Sequence, residues 1–459
     1  MAVYNISGNV ISSGEGEVVK DYIKSEADRV AKNVRSVQNE KTLTTIGISD
    51  LHYRDDNSVV KAAIKDMSDG IKQIHNQIHI DYDICYGDVI YAMWAGDGMS
   101  TRVSYNEGVT DGENVAKIIQ NGFDFHKQIR IVGNHDINAT DNSNSKWFDM
   151  DTLYSYFGVF NENMQKPTNY RNRGYGFIDD DYRKIRIIYL NTSDFGSGSP
   201  NKGTYGNINY YMSAEQVEWF ISALDLSEKE DASQWQIILM SHIAFDQSTT
   251  YKDGGMIKNG YANLLYDYEN GNSGNLLGKT YDFSNGKNVA KLALFIHGHT
   301  HGFTVDNLHY RAGVSDNYTY PTIKMPRICI PHALPGREIS VDATSDVGIV
   351  WGVGKTFSKT TNTKDSTSFV VNSLDPVNMV IYSHHYGAGF DRILHYNSTN
   401  ISGSYTIIPQ ITPTSWSSLN TSIATVNNGI ITPISNGNVL VYAKSSDETR
   451  EYWNLSISL

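Results

Sequence analysis

The sequence predicts an α/β fold, on two observations. Apolar runs of strand length recur along the chain, and several of the segments between them repeat their apolar residues at helical spacing. In order, residues 15–40 place Val19, Tyr22, Ile23, Ala27, Val30, Val34 and Val37 three and four apart, an amphipathic helix with a narrow stripe. That stripe either docks on the rest of the chain or serves a short oligomerisation helix of about three heptads. Ile46-Gly47-Ile48-Ser49 reads as a strand, and 58–79 as a helix carrying Val60, Ile64, Met67, Ile71, Ile74 and Ile78 on one side. Tyr82–Tyr86 and Ile129–Val132 are further strands. Ser213 with Gln216 three residues on marks a capping box for a helix over 213–225. Gln236–Met240 and Leu292–Ile296 complete the set. Runs of four to six apolar and β-branched residues separated by helices describe parallel strands buried on both faces.

Each of these runs ends on residues that bind metals. The first leads into Asp50-Leu51-His52, the second into Gly87-Asp88, and the third into Gly133-Asn134-His135-Asp136. The fourth ends on Ser241-His242 and the fifth on His297-Gly298-His299-Thr300-His301. In a parallel sheet, ligands collect beyond the carboxyl ends of the strands. Asp50 and His52, like His299 and His301, are two apart, so an extended backbone would point both members of a pair the same way. Asp88 and Asn134 each follow a glycine, which lets the chain turn sharply and come close to an ion. Carboxylate, imidazole and amide oxygen with no thiolate suit manganese, iron or zinc and argue against a closed structural zinc. Gly96-Asp97 is a decoy, since no strand pattern precedes it, and His297 reads as structural.

The set Asp50-x-His52, Gly87-Asp88, Gly133-Asn134-His135-Asp136, His242 and Gly298-His299-x-His301 resembles the calcineurin-like metallophosphoesterase superfamily over residues 41–335. The resemblance implies a four-layer αββα sandwich whose second sheet is completed by strand patterns after Pro335, at Ile349–Trp351, Phe369–Val371 and Val380–Tyr382. It further implies two divalent metal ions, held by Asp50, His52, Asp88 and His301 on one side and by Asp88, Asn134, His242 and His299 on the other. His135 would then protonate the leaving oxygen and Asp136 would orient its ring. The chemistry implied is hydrolysis of a phosphate ester by metal-activated water, with the cations about 3.5–4 Å apart. Asn134 limits the negative charge of the cage, and an imidazole suits proton transfer near neutral pH.

The chain of 459 residues suggests three units: an N-terminal amphipathic or attachment helix (1–40), a catalytic unit (41–397) and a tail (398–459). The tail turns to Ser, Thr, Asn and Ile. Its stretch Trp416–Gly429 resembles the bacterial immunoglobulin-like domain of the second group, implying a small all-β sandwich with Asn-Gly turns at 428–429 and 436–437. A net charge of −12 argues against a large nucleic-acid-binding face and leaves a local basic groove open. Two cysteines, Cys85 and Cys329, make no disulfide framework. No stretch reaches the roughly 18 apolar residues of a membrane span, and no secretory signal is visible, so synthesis in the cytoplasm is expected.

Two long segments, 138–175 with Trp147, Tyr154, Tyr156, Tyr170, Arg171, Arg173 and Tyr175, and 245–288, rich in Gly, Asn and Tyr, show no clear period. As loops leaving the catalytic strand ends they would wall the site. Aromatic and Arg side chains there suit a polymeric or sugar-containing ester, such as the teichoic acid of a cell envelope. Nucleotide phosphatase or nuclease is the alternative activity. A non-catalytic phage structural or adhesion protein is the alternative of another class. A virion protein attached to a tail through its N-terminal helix would reconcile an adhesion-type tail with cytoplasmic synthesis. Arg392, in a turn near 387–392, is a further candidate for a phosphate contact.

Overall fold

The computed structural model describes residues 3–4, 10–12, 19–91, 105–124, 127–136, 174–194, 211–246, 256, 260–310, 321–334, 339–341, 344–345, 348–349 and 355–459. The helix α1 (Asp21–Val37) leads into β1 (Leu43–Ile48), α2 (Ser58–His75), β2 (Tyr82–Cys85), α3 (Tyr105–Gly122) and β3 (Gln128–Arg130). Strands β4 (Gly176–Asp180) and β5 (Ile185–Leu190), helix α4 (Ala214–Leu224) and β6 (Gln236–Ser241) follow. Next come α5 (Tyr261–Asn270), a hairpin of β7 (Ser273–Leu276) and β8 (Lys279–Asp282), then β9 (Lys291–His297), β10 (Val305–His309) and β11 (Thr322–Cys329). The last strands are β12 (Ser368–Asp375), β13 (Val380–Gly387), β14 (Arg392–Ile401), β15 (Tyr405–Thr406), β16 (Ser415–Ser418), β17 (Ala424–Asn427), β18 (Ile430–Pro433), β19 (Gly437–Lys444) and β20 (Arg450–Ile457).

Two sheets dominate. One runs β16-β19-β20-β14-β13-β12-β1-β2-β3 and the other β10-β11-β9-β6-β5-β4. The strands that carry motifs run parallel where they pair with one another: β1 with β2, β2 with β3, and β9 with β6. Alternate residues of both sheets meet in one shared core, where Ile84, Ile129, Val370 and Leu394 pack with Ile187, Ile238, Leu294 and Ile328. The opposite faces are apolar too, which is why these strands read as continuous apolar runs. On the first sheet Ile46, Ile48 and Val371 pack under the buried faces of α1, α2 and α3. On the second, Leu239 and Phe295 pack under α4 and α5. Asn57 caps α2 by accepting from the N–H groups of Val59 and Val60.

Several expectations change on folding. The strands after Pro335 do not build the second sheet: β12 pairs antiparallel with β1 and so extends the first. Residues 349–351 lie largely outside the described residues, as do Asp97, Trp147, Tyr154, Tyr156, Tyr170, Arg171 and Arg173. Part of the segment 245–288, residues 247–255 and 257–259, lies outside the described residues, and its later part is not a loop. From Tyr261 onward it forms α5 and the β7–β8 hairpin, with Leu264, Leu265, Tyr268 and Phe283 buried against the second sheet. Tyr268 donates to the carbonyl of Ala290, at the end of β9 opposite its motif. Tyrosine hides the period here, because a buried ring with a bonded hydroxyl does the packing that an aliphatic residue announces more plainly. The capping box at Ser213 is half made: Ser213 accepts from the Gln216 N–H, but the Gln216 side chain turns to Asn191 and Asp194. Arg392 is buried, 3.4 Å from the Phe303 ring, and donates to the carbonyls of Thr304 and Cys329, so it has no reach to a phosphate.

The tail joins the first sheet through β20, which runs parallel to β14, and the 398 boundary falls inside β14. A second small sheet, β15-β18-β17, closes over Ile401, Ile431, Val441 and Leu455. Asn428 and Gly429 both adopt positive φ (48° and 80°) between β17 and β18, as a tight hairpin turn requires. The second Asn-Gly pair connects strands of different sheets, so it makes no hairpin. No described helix is long and apolar enough to cross a membrane.

The stripe of α1 is spent inside the chain. Ile23, Ala27, Val30, Ala31 and Val34 are buried against the body, which leaves no apolar face for an oligomerisation helix. Polar contacts lock the same helix to β13. Glu26 accepts from the Gly387 N–H, Arg29 donates to the His385 carbonyl, and Asn33 donates to Asp391 at 3.0 Å. Burial alone would raise the Asp391 carboxyl, but bonding to His384 and the Arg29 charge hold it down at about 2. A depressed folded pKa means that the unfolded chain takes up this proton first as pH falls. The contribution is therefore full above about pH 4 and fades as pH falls toward 2. Denaturant titrations across that window should show on the order of 2 kcal/mol of acid-labile stability that Asp391→Asn lacks.

Candidate metal centre

The motif loops are zipped to one another beyond the ends of the sheet. Asp50 N–H donates to the Gly87 carbonyl, His52 N–H to Asp88, Tyr53 N–H to Val89 and Tyr91 N–H to Tyr53, all at 2.9–3.0 Å. Across the seam between the sheets, Ala333 N–H donates to the Ser49 carbonyl and His299 N–H to Asp50 Oδ2, while within the second sheet Gly298 N–H donates to the His242 carbonyl. These bonds, with those that Asp136 accepts from the Asp88 and Val89 N–H groups, bring all five motifs together. Gly133 and Gly298 are needed for close approach: a Cβ on Gly133 would stand 2.2 Å from the Asp88 backbone N, and one on Gly298 2.0 Å from Ser49 Oγ.

The paired ligand residues do not converge on an extended backbone. Asp50, His52, Asp88, His299 and His301 all have positive φ, between 45° and 69°. Asp and His tolerate this region better than most residues, yet sparsely populated conformations of this kind cost about 1–3 kcal/mol each. They persist because the ladder of backbone bonds over-determines them. Alternation alone could not foretell this, since the sequence pattern carries spacing and not handedness.

Three groups of donors result: one joins His52 and Asp88 to the part-exposed His135, and the other two are fully buried. In one of these two, Asp50, His52 and His301 offer ligand atoms close together: the two Nε2 atoms are 2.9 Å apart, and His301 Nε2 is 3.2 Å from Asp50 Oδ1. In the other, Asp88, His242 and His299 meet, with His242 Nε2 3.0 Å from Asp88 Oδ2 and 3.1 Å from Asn134 Oδ1. Asp88 Oδ2 also lies 4.0 Å from His52 Nε2, so one carboxylate reaches both groups. Apart from His135, these side chains are at least nine-tenths buried. His135 is 22 % exposed, the one candidate at the mouth, and its Nε2 stands 3.9 Å from Asp88 Oδ2.

The donor set fits a divalent cation. Two nitrogens bound to one ion at about 2.1 Å sit about 3 Å apart, the spacing found here. Asp50 Oδ1 is buried and accepts no hydrogen bond, an arrangement costly without a cation. Burial opposes the charge on Asp50, but His301, His242 and His52 hold it well below the usual carboxylate range. Asp88 is lowered likewise, against burial, by His242 and His135. Burial pushes His299 down to about 3 and His52 far below its ordinary value, so both offer lone pairs. His242 is the exception, raised against burial to about 9 by Asp88.

Asp136 is not placed to orient His135. Its Oδ2 accepts from the N–H groups of Asp88 (2.9 Å) and Gly133 (2.8 Å), and its Oδ1 from Val89 (2.7 Å) and Ile90 (3.3 Å). It is a fully buried clamp holding two motif loops together. Burial and the Asp88 charge push its carboxyl up to about 7, while the four donors pull the other way. His297 bonds the Gly298 carbonyl and packs edge-on to Phe295. Sequence reasoning missed His332, Lys359 and Tyr91. His332 lies 5.1 Å from the His301 ring, and Lys359 is buried against it, donating to the carbonyls of His332 and Leu334. No spacing marks either, because each comes from a strand end or a loop far along the chain.

No family model and no curated protein matches the chain. Among solved structures it is similar to the NAD nucleotidase NadN of Haemophilus influenzae, at 14% identity and a TM-score of 0.31, over 77% of this chain and 50% of that one. The chain thus spans half the length of that protein.

Asp136→Asn keeps the clamp's volume but leaves a single acceptor oxygen for four donors. It is expected to cost about 1–3 kcal/mol in denaturant unfolding. Asp136→Ala, which strands all four N–H groups, should cost more.

Proposed function

We propose that this chain is a dinuclear metal-dependent phosphoesterase with the four-layer αββα arrangement of the calcineurin-like metallophosphoesterases. The observation that carries the reading is the placement of Asp88 between two buried donor groups, Asp50/His52/His301 and His242/His299 with Asn134. Held there, two divalent cations supply Lewis acidity toward phosphoryl oxygens and lower the pKa of water. The protein's own residues do the rest. Asn134 contributes a neutral oxygen, which keeps the cage receptive to an anion. His135, at the exposed edge, is placed to give a proton to the leaving oxygen. Asp136 and the backbone ladder hold these groups in place before substrate arrives, so little reorganisation is left for the reaction.

Within this class a phosphodiester is our preferred substrate, with an envelope polymer such as teichoic acid as the form taken from the sequence. The part of 245–288 from Tyr261 onward lends the polymer no support, because it packs as α5 and the β7–β8 hairpin against the second sheet. A nucleotide phosphatase fits the same donors equally well. Rates with bis-p-nitrophenyl phosphate, p-nitrophenyl phosphate, a nucleoside monophosphate and purified teichoic acid, across manganese, iron and zinc, decide among these. A protein inert with all of them and all three metals would leave the non-catalytic alternative standing.

Two substitutions test the roles. Asp88→Asn is expected to lower the content of both metals together, read by elemental analysis of dialysed protein, whereas Asp50→Asn should lower one. His135→Gln is expected to slow turnover by about 10²–10⁴-fold for poor leaving groups with metal content near normal, and by much less for p-nitrophenolate. Equal losses for both kinds of leaving group would contradict the proton-donor role.

A further inference from the structure

We infer that Lys359 is a positioning residue for one of the two cations, the one that Asp50, His52 and His301 would hold. The inference rests on the dinuclear reading above. Lys359 acts through a short strap, His332-Ala333-Leu334, that lies against the end of β1. Ser49 and His332 form a parallel bridge there, and the Ala333 N–H donates to the Ser49 carbonyl at 2.9 Å. The Ala333 carbonyl accepts from the Thr367 hydroxyl at 3.3 Å. The two flanking carbonyls, of His332 and Leu334, go instead to the Lys359 Nζ, the second at 3.0 Å. Buried carbonyls must find a donor, and here one side chain supplies what a neighbouring strand would. Lys359 is itself buried. Burial lowers its pKa well below the ordinary value, against the pull of the Asp50 charge. Amine and ammonium alike carry the two N–H bonds that the carbonyls need, so the tie holds in either state.

The strap reaches two of the three donors of that group. Through Ser49 it bears on Asp50: the Ser49 hydroxyl donates to Asp50 Oδ2 at 2.5 Å, and Gly298 packs so closely on the same hydroxyl that a Cβ there would stand 2.0 Å from it. A shift of the Ser49 peptide therefore shifts the carboxylate. Through His332 the strap bears on His301, whose ring centroid is 5.1 Å away, while Lys359 Nζ stands 3.2 Å from His332 Nδ1. The other donor group is braced elsewhere. Asp88 is held through its N–H by the Asp136 clamp, and His242 Nδ1 by the Tyr86 carbonyl at 2.6 Å. Groups that orient ligands without touching the metal are worth about 10- to 100-fold in affinity. Lys359 lends that support to one ion only.

The test uses the full chain, stripped of metal and titrated with manganese alone, read by equilibrium dialysis with elemental analysis. Wild type should take up two ions. Lys359→Met removes the donors at nearly constant volume, and should weaken one ion by about 10- to 100-fold while the other keeps its wild-type affinity. On an Asp50→Asn background, which already lacks the first ion, Lys359→Met should cost the remaining ion nothing. Leu455→Ala, which opens a cavity in the tail core instead, should keep both ions. If Lys359→Met does not fold, Lys359→Gln, which keeps an N–H donor, carries the same comparison. Equal weakening of both ions, a further loss in the double variant, or the same selective loss in Leu455→Ala would overturn the inference, since lost stability alone would act that way. A wild type that binds fewer than two ions overturns the dinuclear reading and this inference with it. Two ions unaltered by the Lys359 substitution remove the inference alone.

Discussion

Two buried carboxylates, Asp50 and Asp88, must stay ionised without a hydrogen bond or ion pair to Lys or Arg among the described residues. Much of the site's architecture follows from that constraint. A buried charge is costly unless it is paired. Here the compensation comes from N–H dipoles, from imidazoles, and from the space left for cations. Asp50 accepts from Ser49 Oγ and from the His299 N–H, and Asp88 from the His135 N–H. Each carboxylate thus accepts a backbone N–H of another motif, Asp50 also the hydroxyl of Ser49 beside it, while its second oxygen faces the ring nitrogens.

The seam between the sheets exists to meet that demand. Neither sheet alone holds a complete donor set: Asp50, His52, Asp88 and Asn134 follow strands of the first sheet, and His242, His299 and His301 follow strands of the second. Packing the two sheets on a shared apolar core brings their carboxyl ends side by side. The bonds from the Ala333 N–H to the Ser49 carbonyl and from the His299 N–H to Asp50 then fix the approach. Left-handed backbone at five donors is the cost of pointing so many side chains inward from loops this short.

A second consequence is that supporting groups become as specialised as the donors. Asp136 binds four amides from two loops, the α1 helix is tied to β13 through Glu26, Arg29 and Asn33, and Lys359 holds the carbonyls of His332 and Leu334. None of these offers a lone pair to the centre. All of them restrict how the donors can move, which is what preorganisation demands of surrounding structure.

Much of this was legible in the chain. Five apolar runs each closing on Asp, Asn or His declared both the parallel strands and the donor residues, because burial on both faces and ligation at strand ends leave local signatures. The α1 stripe and the Asn57-capped α2 were equally readable from period. What only the tertiary structure decided depends on which distant segments meet. The α1 stripe looks the same docked or free, and packing on α2 and β13 settled it. Asp136 looked like a partner for its neighbour His135, yet its carboxylate turned to the amides of Gly133 and of a loop some 47 residues earlier. The helix α5 and its hairpin hid in a Tyr- and Gly-rich stretch whose period is faint until the second sheet gives it a surface. Local spacing encodes which residues share a face. The partners of that face, and the handedness of the turns that aim it, are set by the sum of contacts across the fold.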